Sequence, residues 1–141
     1  MIIKSYELNK IDTNKNRIFL LYGQNEGLKN EIIKKYFINM FKGDIYRYDE
    51  KEVIDNNSDF FNGILSRSFF EEKKLFIISR VTDKLNSIIE EIIEKDIEDI
   101  TIILNASILD KKSKLRKLFE KNKKIVCVPV YEDNTQTLSV I

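Results

Sequence analysis

Residues 17–30 read Arg-Ile-Phe-Leu-Leu-Tyr-Gly-Gln-Asn-Glu-Gly-Leu-Lys-Asn, a short apolar run followed by a turn that contains two glycines. The run fits a β-strand that is buried on both faces, and Gly23 closes it with a turn. Beyond the turn, apolar residues recur at spacings of three and four, which predicts one buried face of a helix that ends near Gly43. These apolar residues are Leu28, Ile32, Ile33, Tyr36, Phe37, Met40 and Phe41.

The rest of the chain repeats this alternation. We expect further strands at 44–49, 74–80, 99–105 and 124–129. Two short helices, broken near 55–58, are predicted within 53–66, and single helices are predicted before each of the last two strands. The order β-α-β-α-α-β-α-β-α-β is typical of an α/β fold, a parallel sheet with helices on both faces.

Length and composition limit the class of protein. The chain has 141 residues, 43% of them hydrophobic and 33% charged, and its net charge is +1. This fits one globular domain, for which we expect 1–131, with 132–141 starting the connection to a following domain. The lone Cys127, a start without a signal-peptide pattern and the lack of an 18-residue apolar stretch favour a cytoplasmic protein without membrane contact.

The glycine turn stands where P-loop proteins bind phosphate with the pattern GxxxxGK[ST]. Here Gly23 and Gly27 are four residues apart instead of five, Leu28 follows the second glycine, and Glu26 brings negative charge. Lys29 resembles a shifted phosphate-binding lysine, but no Ser or Thr follows it. We therefore interpret the turn as a degenerate nucleotide site.

Other catalytic chemistry finds little support in the sequence. The predicted strands that end before Ser79 and Asn105 carry no carboxylate there to organise magnesium. The chain has no His, and no carboxylates are spaced as a metal site. We predict no catalytic residue, no metal and no cofactor.

Two adjacent aromatic residues, Phe69 and Phe70, follow Ser68 between a predicted helix and a predicted strand. Neighbouring residues at a helix end point about 100° apart, so burying both rings in the core is difficult. An exposed aromatic ring is a typical anchor for a protein partner. Core packing of both rings is the alternative interpretation.

A basic segment covers residues 110–124, with eight basic and two acidic side chains. Lys111, Lys112 and Lys114 are candidates for contact with a phosphate backbone. The alternative is a solvated helix face around a buried stripe of Leu115, Leu118 and Phe119.

Four stretches resemble one family in the same order along nearly the whole chain. They are residues 21–28, the Ser68-Phe69-Phe70 element before 74–78, residues 109–120 and residues 128–133. Together they are similar to the amino-terminal domain of the delta subunit of bacterial DNA polymerase III clamp loaders.

This resemblance implies a RecA/AAA+-like α/β domain with a degenerate P-loop, a non-catalytic module that binds the sliding clamp (the beta subunit) and favours its opened form. The clamp-binding element of the family carries over to Ser68, Phe69 and Phe70, with Phe instead of the commoner Leu in the middle. The resemblance also implies other clamp-loader subunits as partners, reached through a following region, and an indirect relation to DNA. A P-loop-related nucleotide enzyme and a DNA binder that uses 111–124 are the alternatives.

Overall fold

The computed structural model describes residues 1–10, 17–65 and 73–130. Its centre is a five-stranded sheet in the order β2-β3-β4-β1-β5, with every neighbouring pair parallel. The strands are β1 (Ile18–Tyr22), β2 (Gly43–Asp49), β3 (Lys73–Val81), β4 (Ile100–Ala106) and β5 (Val126–Pro129). The predicted strands and their parallel pairing are thus confirmed.

Within these described ranges, five α-helices connect the strands: α1 (Glu26–Ile33), α2 (Glu50–Asp55), α3 (Asn57–Leu65), α4 (Asn86–Lys95) and α5 (Lys114–Lys121). A π-helical turn, Lys34–Ile38, continues α1, and 3-10 turns cover Ser5–Lys10 and Asp83–Leu85. The predicted break between the two short helices is confirmed, because α2 ends at Asp55 and α3 begins at Asn57.

The sheet separates two apolar layers, since alternate residues of each strand face opposite sides. On one side, Leu20, Phe76 and Ile102 pack with apolar residues of α2, α3, α4 and α5. On the other, Phe19 and Ile103 belong to the layer formed with α1, the π-helical turn and Leu8. Helices therefore cover both faces, as predicted.

The first predicted helix differs from the structure at its end. Phe37 is buried, but Met40, which we expected on the same buried face, is 75% exposed. The π-helical turn ends at Ile38, so Met40 lies beyond the helix and the helical period does not place its side chain, whereas Phe41 packs against the core. The spacing in the sequence does not reveal where the helix ends.

Residues 1–3 extend the sheet beside β5. Ile2 forms a parallel bridge with Cys127, and the amide of Ile3 donates to the carbonyl of Cys127 at 2.8 Å. Burial raises the pKa of the Cys127 thiol to about 12, so this cysteine is an inert core residue. None of the helices within 1–10, 17–65 and 73–130 is long and apolar enough to cross a lipid bilayer.

Candidate functional site

Gly23 holds the turn after β1 in a conformation that only glycine adopts easily. Its φ is +140°, and a Cβ atom there would lie 1.8 Å from the carbonyl oxygen of Val130. The Gly23 amide donates to the carbonyl of Ser107 at 2.9 Å, and the Val130 amide donates to the carbonyl of Tyr22 at 2.8 Å. The turn is thus clamped between the chain that follows β4 and the chain that follows β5.

The second glycine of the turn has no such steric role. Gly27 lies in the first turn of α1, where an added Cβ would meet only Asn25 Oδ1, at 3.7 Å. Asn25 caps this helix, since its Oδ1 accepts a hydrogen bond from the Leu28 amide at 3.0 Å. The amino end of α1 is therefore capped from within the chain.

Lys29 is the side chain that sequence analysis considered as a shifted phosphate-binding lysine. It is fully buried, and its Nζ donates to the carbonyl of Ala106 at 2.7 Å and pairs with Glu26 Oε2 at 2.9 Å. A buried ammonium group needs such partners because removing an unpaired charge from water costs on the order of several kcal/mol. The lysine thus binds the end of β4.

Asn105, at the end of β4, completes this network. Its Nδ2 donates to Glu26 Oε1 at 3.0 Å. The hydrogen bond from Lys29 lowers the pKa of Glu26 despite partial burial, with a smaller contribution from Asn105, so the carboxylate stays ionised. Glu26, Lys29 and Asn105 form what we call the turn network. The spacing of Glu26 and Lys29 is visible in the sequence, but the contribution of Asn105 is not.

Two acidic residues near the end of β3, which sequence analysis missed, also serve the structure. Glu50, at the start of α2, is buried, and its carboxylate accepts hydrogen bonds from the Thr82 amide at 2.7 Å and the Thr82 hydroxyl at 2.8 Å. This contact ties α2 to the chain that follows β3. The one signal for this contact in the sequence is Thr82, a hydrogen-bonding residue that directly follows an apolar strand.

Asp83 binds the amino end of α5. Its carboxylate accepts hydrogen bonds from the Ser113 hydroxyl and from the amides of Leu115, at 3.2 Å, and Lys114, at 3.3 Å. Desolvation raises the pKa of Asp83, but these hydrogen bonds outweigh it and the net shift is downward. Within the described ranges, no group of three or more Asp, Glu or Cys side chains is arranged to hold a metal ion.

The predicted partner-binding element, Ser68, Phe69 and Phe70, lies outside the described residues. The elements on either side are described: α3 ends at Leu65 and β3 begins at Lys73. Lys74 Nζ donates to the carbonyl of Gly63 at 3.1 Å and so ties the start of β3 to α3. The prediction that the element connects a helix to a strand is consistent with these bounds.

The basic candidates Lys111, Lys112 and Lys114 are all exposed, the first two before α5 and the third as its first residue. On the opposite side of α5, Leu115 and Phe119 are completely buried. Leu118 is partly buried and also packs against the core, so the predicted apolar stripe of this helix is confirmed.

The fold places the chain in a class. A five-stranded parallel sheet in this order, with β1 beside β4 and helices on both faces, is the RecA/AAA+-like α/β architecture. The solved structures that resemble it include the DNA clamp loader delta protein (YqeN) of Bacillus subtilis, with a TM-score of 0.64 and 19% sequence identity. The match covers 93% of this chain and 42% of that protein.

This likeness concerns the fold, because the sequence identity is low. The chain spans less than half the length of the Bacillus subtilis protein. No protein-family model matches the chain, and no curated protein matches it in sequence.

Proposed function

We propose that this chain is the clamp-binding domain of a clamp-loader delta protein, and that it binds the ring-shaped DNA sliding clamp and favours its opened form. The observation that carries the proposal is the likeness of its fold, over 93% of the chain, to a protein described as a DNA clamp loader delta protein. The family motifs in the sequence, in the same order along the chain, are independent support.

The turn network supports a non-catalytic role. In P-loop enzymes a lysine reaches the β- and γ-phosphates of the nucleotide. Here Lys29 is buried against the carbonyl of Ala106, and the carboxylate of Glu26 stands in the first turn of α1. A nucleotide would have to displace a paired lysine and approach a carboxylate, which is electrostatically unfavourable. We therefore interpret the turn as a P-loop that has lost the ability to bind a nucleotide.

Clamp binding is assigned to Ser68, Phe69 and Phe70. Two aromatic rings next to each other provide a large apolar contact area at low entropic cost, as at many interface hot spots. The segment lies between α3 and β3, and Leu65, the last residue of α3, is 48% exposed. An apolar partner surface that reaches the end of α3 would also bury Leu65.

Ring opening follows from differential binding. A module shifts a closed ring toward its open form only to the extent that it binds the open form more tightly. The domain needs no nucleotide hydrolysis of its own for this. Other clamp-loader subunits, reached through a following region of the protein, would supply the ATP-driven steps.

The test is binding of the Phe69→Ala/Phe70→Ala variant to the sliding clamp of the same organism, measured by surface plasmon resonance. Truncating two hot-spot rings costs about 2 kcal/mol each, so the affinity should fall by a factor on the order of 1,000. The matched control is Met40→Ala/Ile108→Ala, which removes two apolar side chains that are 75% and 60% exposed elsewhere. Undiminished binding by the Phe69/Phe70 variant would contradict the assignment of the site.

A further inference from the structure

Seven lysines follow one another across the surface around α5, and we call them the lysine row. All are exposed: Lys111, Lys112, Lys114, Lys117, Lys121, Lys123 and Lys124. Three of them lie on α5 at spacings of three and four residues and therefore share one face of the helix. These three cover about 10 Å along the axis, at roughly 1.5 Å per residue.

The helix that carries the row is firmly held on the domain. Leu115 and Phe119 are completely buried beneath it, and Ser113 Oγ accepts a hydrogen bond from the Arg116 amide at 3.2 Å. Arg116 Nη1 in turn donates to the carbonyl of Leu109 at 2.9 Å. The backbone of the three lysines on α5 is thus held in place by the domain itself, and on this helix only the lysine side chains have to be ordered on binding.

The two acidic residues within the basic segment, Asp110 and Glu120, contact groups other than the side-chain ammonium groups of the lysine row. Glu120 pairs with Arg116 at 3.5 Å. Asp110 Oδ1 accepts a hydrogen bond from the backbone amide of Lys112 at 2.8 Å. Neither carboxylate forms a salt bridge with a lysine of the row in the part of the chain that the structure describes.

Two acidic residues on neighbouring elements, Asp83 and Glu90, form hydrogen bonds as well. Asp83 caps α5 through Ser113 and the amide of Leu115. Glu90, on α4 and beside the row, accepts a hydrogen bond from Asn86 Nδ2 at 2.7 Å. Across residues 1–10, 17–65 and 73–130, no lysine of the row has a salt-bridge partner. These carboxylates keep their negative charge, and Asp83 attracts Lys114, but the seven lysines outnumber them, so the row keeps a net positive charge toward an external anion.

The placement of the first lysines is unfavourable for the helix itself. Lys111, Lys112 and Lys114 stand at the amino end of α5, where the helix dipole is already positive. A cation at that end costs roughly 0.3–1 kcal/mol at the surface. Apart from the attraction between Lys114 and Asp83, the helix end does not favour these three charges, whereas a polyanion would be attracted to them.

We propose that the lysine row is a contact surface for the phosphate backbone of duplex DNA. Phe119 is the one aromatic residue within 111–124, and it is completely buried, so the row offers no ring on which an unpaired base could stack. Flexible lysines on a convex helix contact phosphates without reading base sequence. The proposal stands independently of clamp binding.

The test is the salt dependence of binding to a fluorescent DNA duplex, followed by anisotropy. The variant Lys114→Gln/Lys117→Gln/Lys121→Gln removes the three charges on α5. Each lost phosphate contact lowers the slope of log affinity against log salt by about 0.9, so we expect a decrease of about 2–3. At low salt the affinity of this variant for the duplex should be at least about ten-fold lower. Its melting temperature should lie within about 5 °C of that of the unchanged chain, because the three side chains are exposed.

The matched control is Lys34→Gln/Lys42→Gln/Lys51→Gln, which changes the net charge equally at exposed positions outside α5. Its affinity should stay within about two-fold of the unchanged chain. Equal losses in both variants, or no duplex binding at low salt by the unchanged chain, would overturn the proposal. Tighter binding to single strands than to duplex, or equal competition by poly-glutamate at matched charge, would overturn it too.

Discussion

At the scale of single residues, the two glycines of the turn after β1 differ in whether the structure requires glycine at their position. Gly23 is required by its positive φ and by the carbonyl of Val130. Gly27 lies in an ordinary helical turn with room for a side chain. The contributions of the two glycines of this turn can therefore be separated by experiment.

We expect Gly23→Ala to lower the free energy of unfolding by about 3 kcal/mol, because a strained φ and a backbone clash add together. Gly27→Ala is the matched control and should raise it by roughly 0.5–1 kcal/mol, the usual difference between Gly and Ala inside a helix. Urea unfolding followed by circular dichroism measures both. Equal effects of the two substitutions would be inconsistent with the described turn.

The turn network makes a second prediction at this scale. Glu26→Gln leaves the buried Lys29 with a weaker partner, so we expect a loss of about 1–3 kcal/mol at neutral pH. The double variant Glu26→Gln/Lys29→Met removes both charges and should be more stable than Glu26→Gln alone. If the double variant is the less stable of the two, the charge pair is not what holds this turn.

The same pair predicts a pH dependence. Because the pKa of Glu26 is lowered from 4.5 in the folded chain, its contribution to stability is complete above that value and is lost as the pH falls through the lowered pKa. The difference in free energy of unfolding between the unchanged chain and Glu26→Gln should therefore shrink on acidification. Urea titrations at neutral and acidic pH test this, and a difference independent of pH would contradict it.

At the scale of elements, α5 depends on a contact that is distant in sequence. Asp83 follows β3, yet it accepts hydrogen bonds from three donors at the start of α5, some 30 residues further along the chain. Ser113 provides the local cap, and Asp83 adds the second. The helix that carries the lysine row is thereby coupled to the central strands.

We expect Asp83→Ala to destabilise the chain by about 1–2 kcal/mol, as loss of a helix cap does. Protection of α5 amides from hydrogen exchange should decrease more than protection of α3 amides. Glu91→Ala, at an exposed position of α4, is the control and should change stability by less than about 0.5 kcal/mol. Uniform loss of protection over both helices would argue against a local capping role.

At the scale of the whole molecule, the proposed function depends on an interaction that favours one state of a partner. If the chain favours the open clamp, it must bind a clamp variant held as a single subunit more tightly than the closed ring. Typical coupling energies of 1–3 kcal/mol correspond to a factor of roughly 5–150 in affinity. Equal affinity for both forms would mean that the chain binds the clamp without favouring its opening.

The absence of nucleotide binding is the second prediction at this scale. Calorimetry with ATP and magnesium should give no saturable heat, because the turn network places a paired lysine and a carboxylate where phosphates bind in P-loop proteins. Saturable binding would favour the nucleotide enzyme that remained an alternative in the sequence analysis.

Much of the fold could be read from the order of the residues. Strands such as Ile18–Tyr22 are continuous apolar runs between turn residues, and the helices repeat their apolar residues at three and four positions. These signals depend only on residues that are close in sequence, so they can be recognised without knowing which segments pack together in the fold. The exposed face of α5 was visible in the same way, because its three lysines alternate with buried apolar residues.

What the local signals could not reveal depends on contacts between distant segments. The turn after β1 has an unusual motif in the sequence, but only packing against β4 shows that Lys29 reaches the carbonyl of Ala106, 77 residues away. Likewise, Met40 belongs to the apolar pattern, yet the helix ends before it, at Ile38, and its side chain lies in solvent. Short-range periodicity indicates which face of an element is apolar. The partner of a buried charge, in contrast, depends on which distant segments of the chain pack around that charge in the tertiary structure.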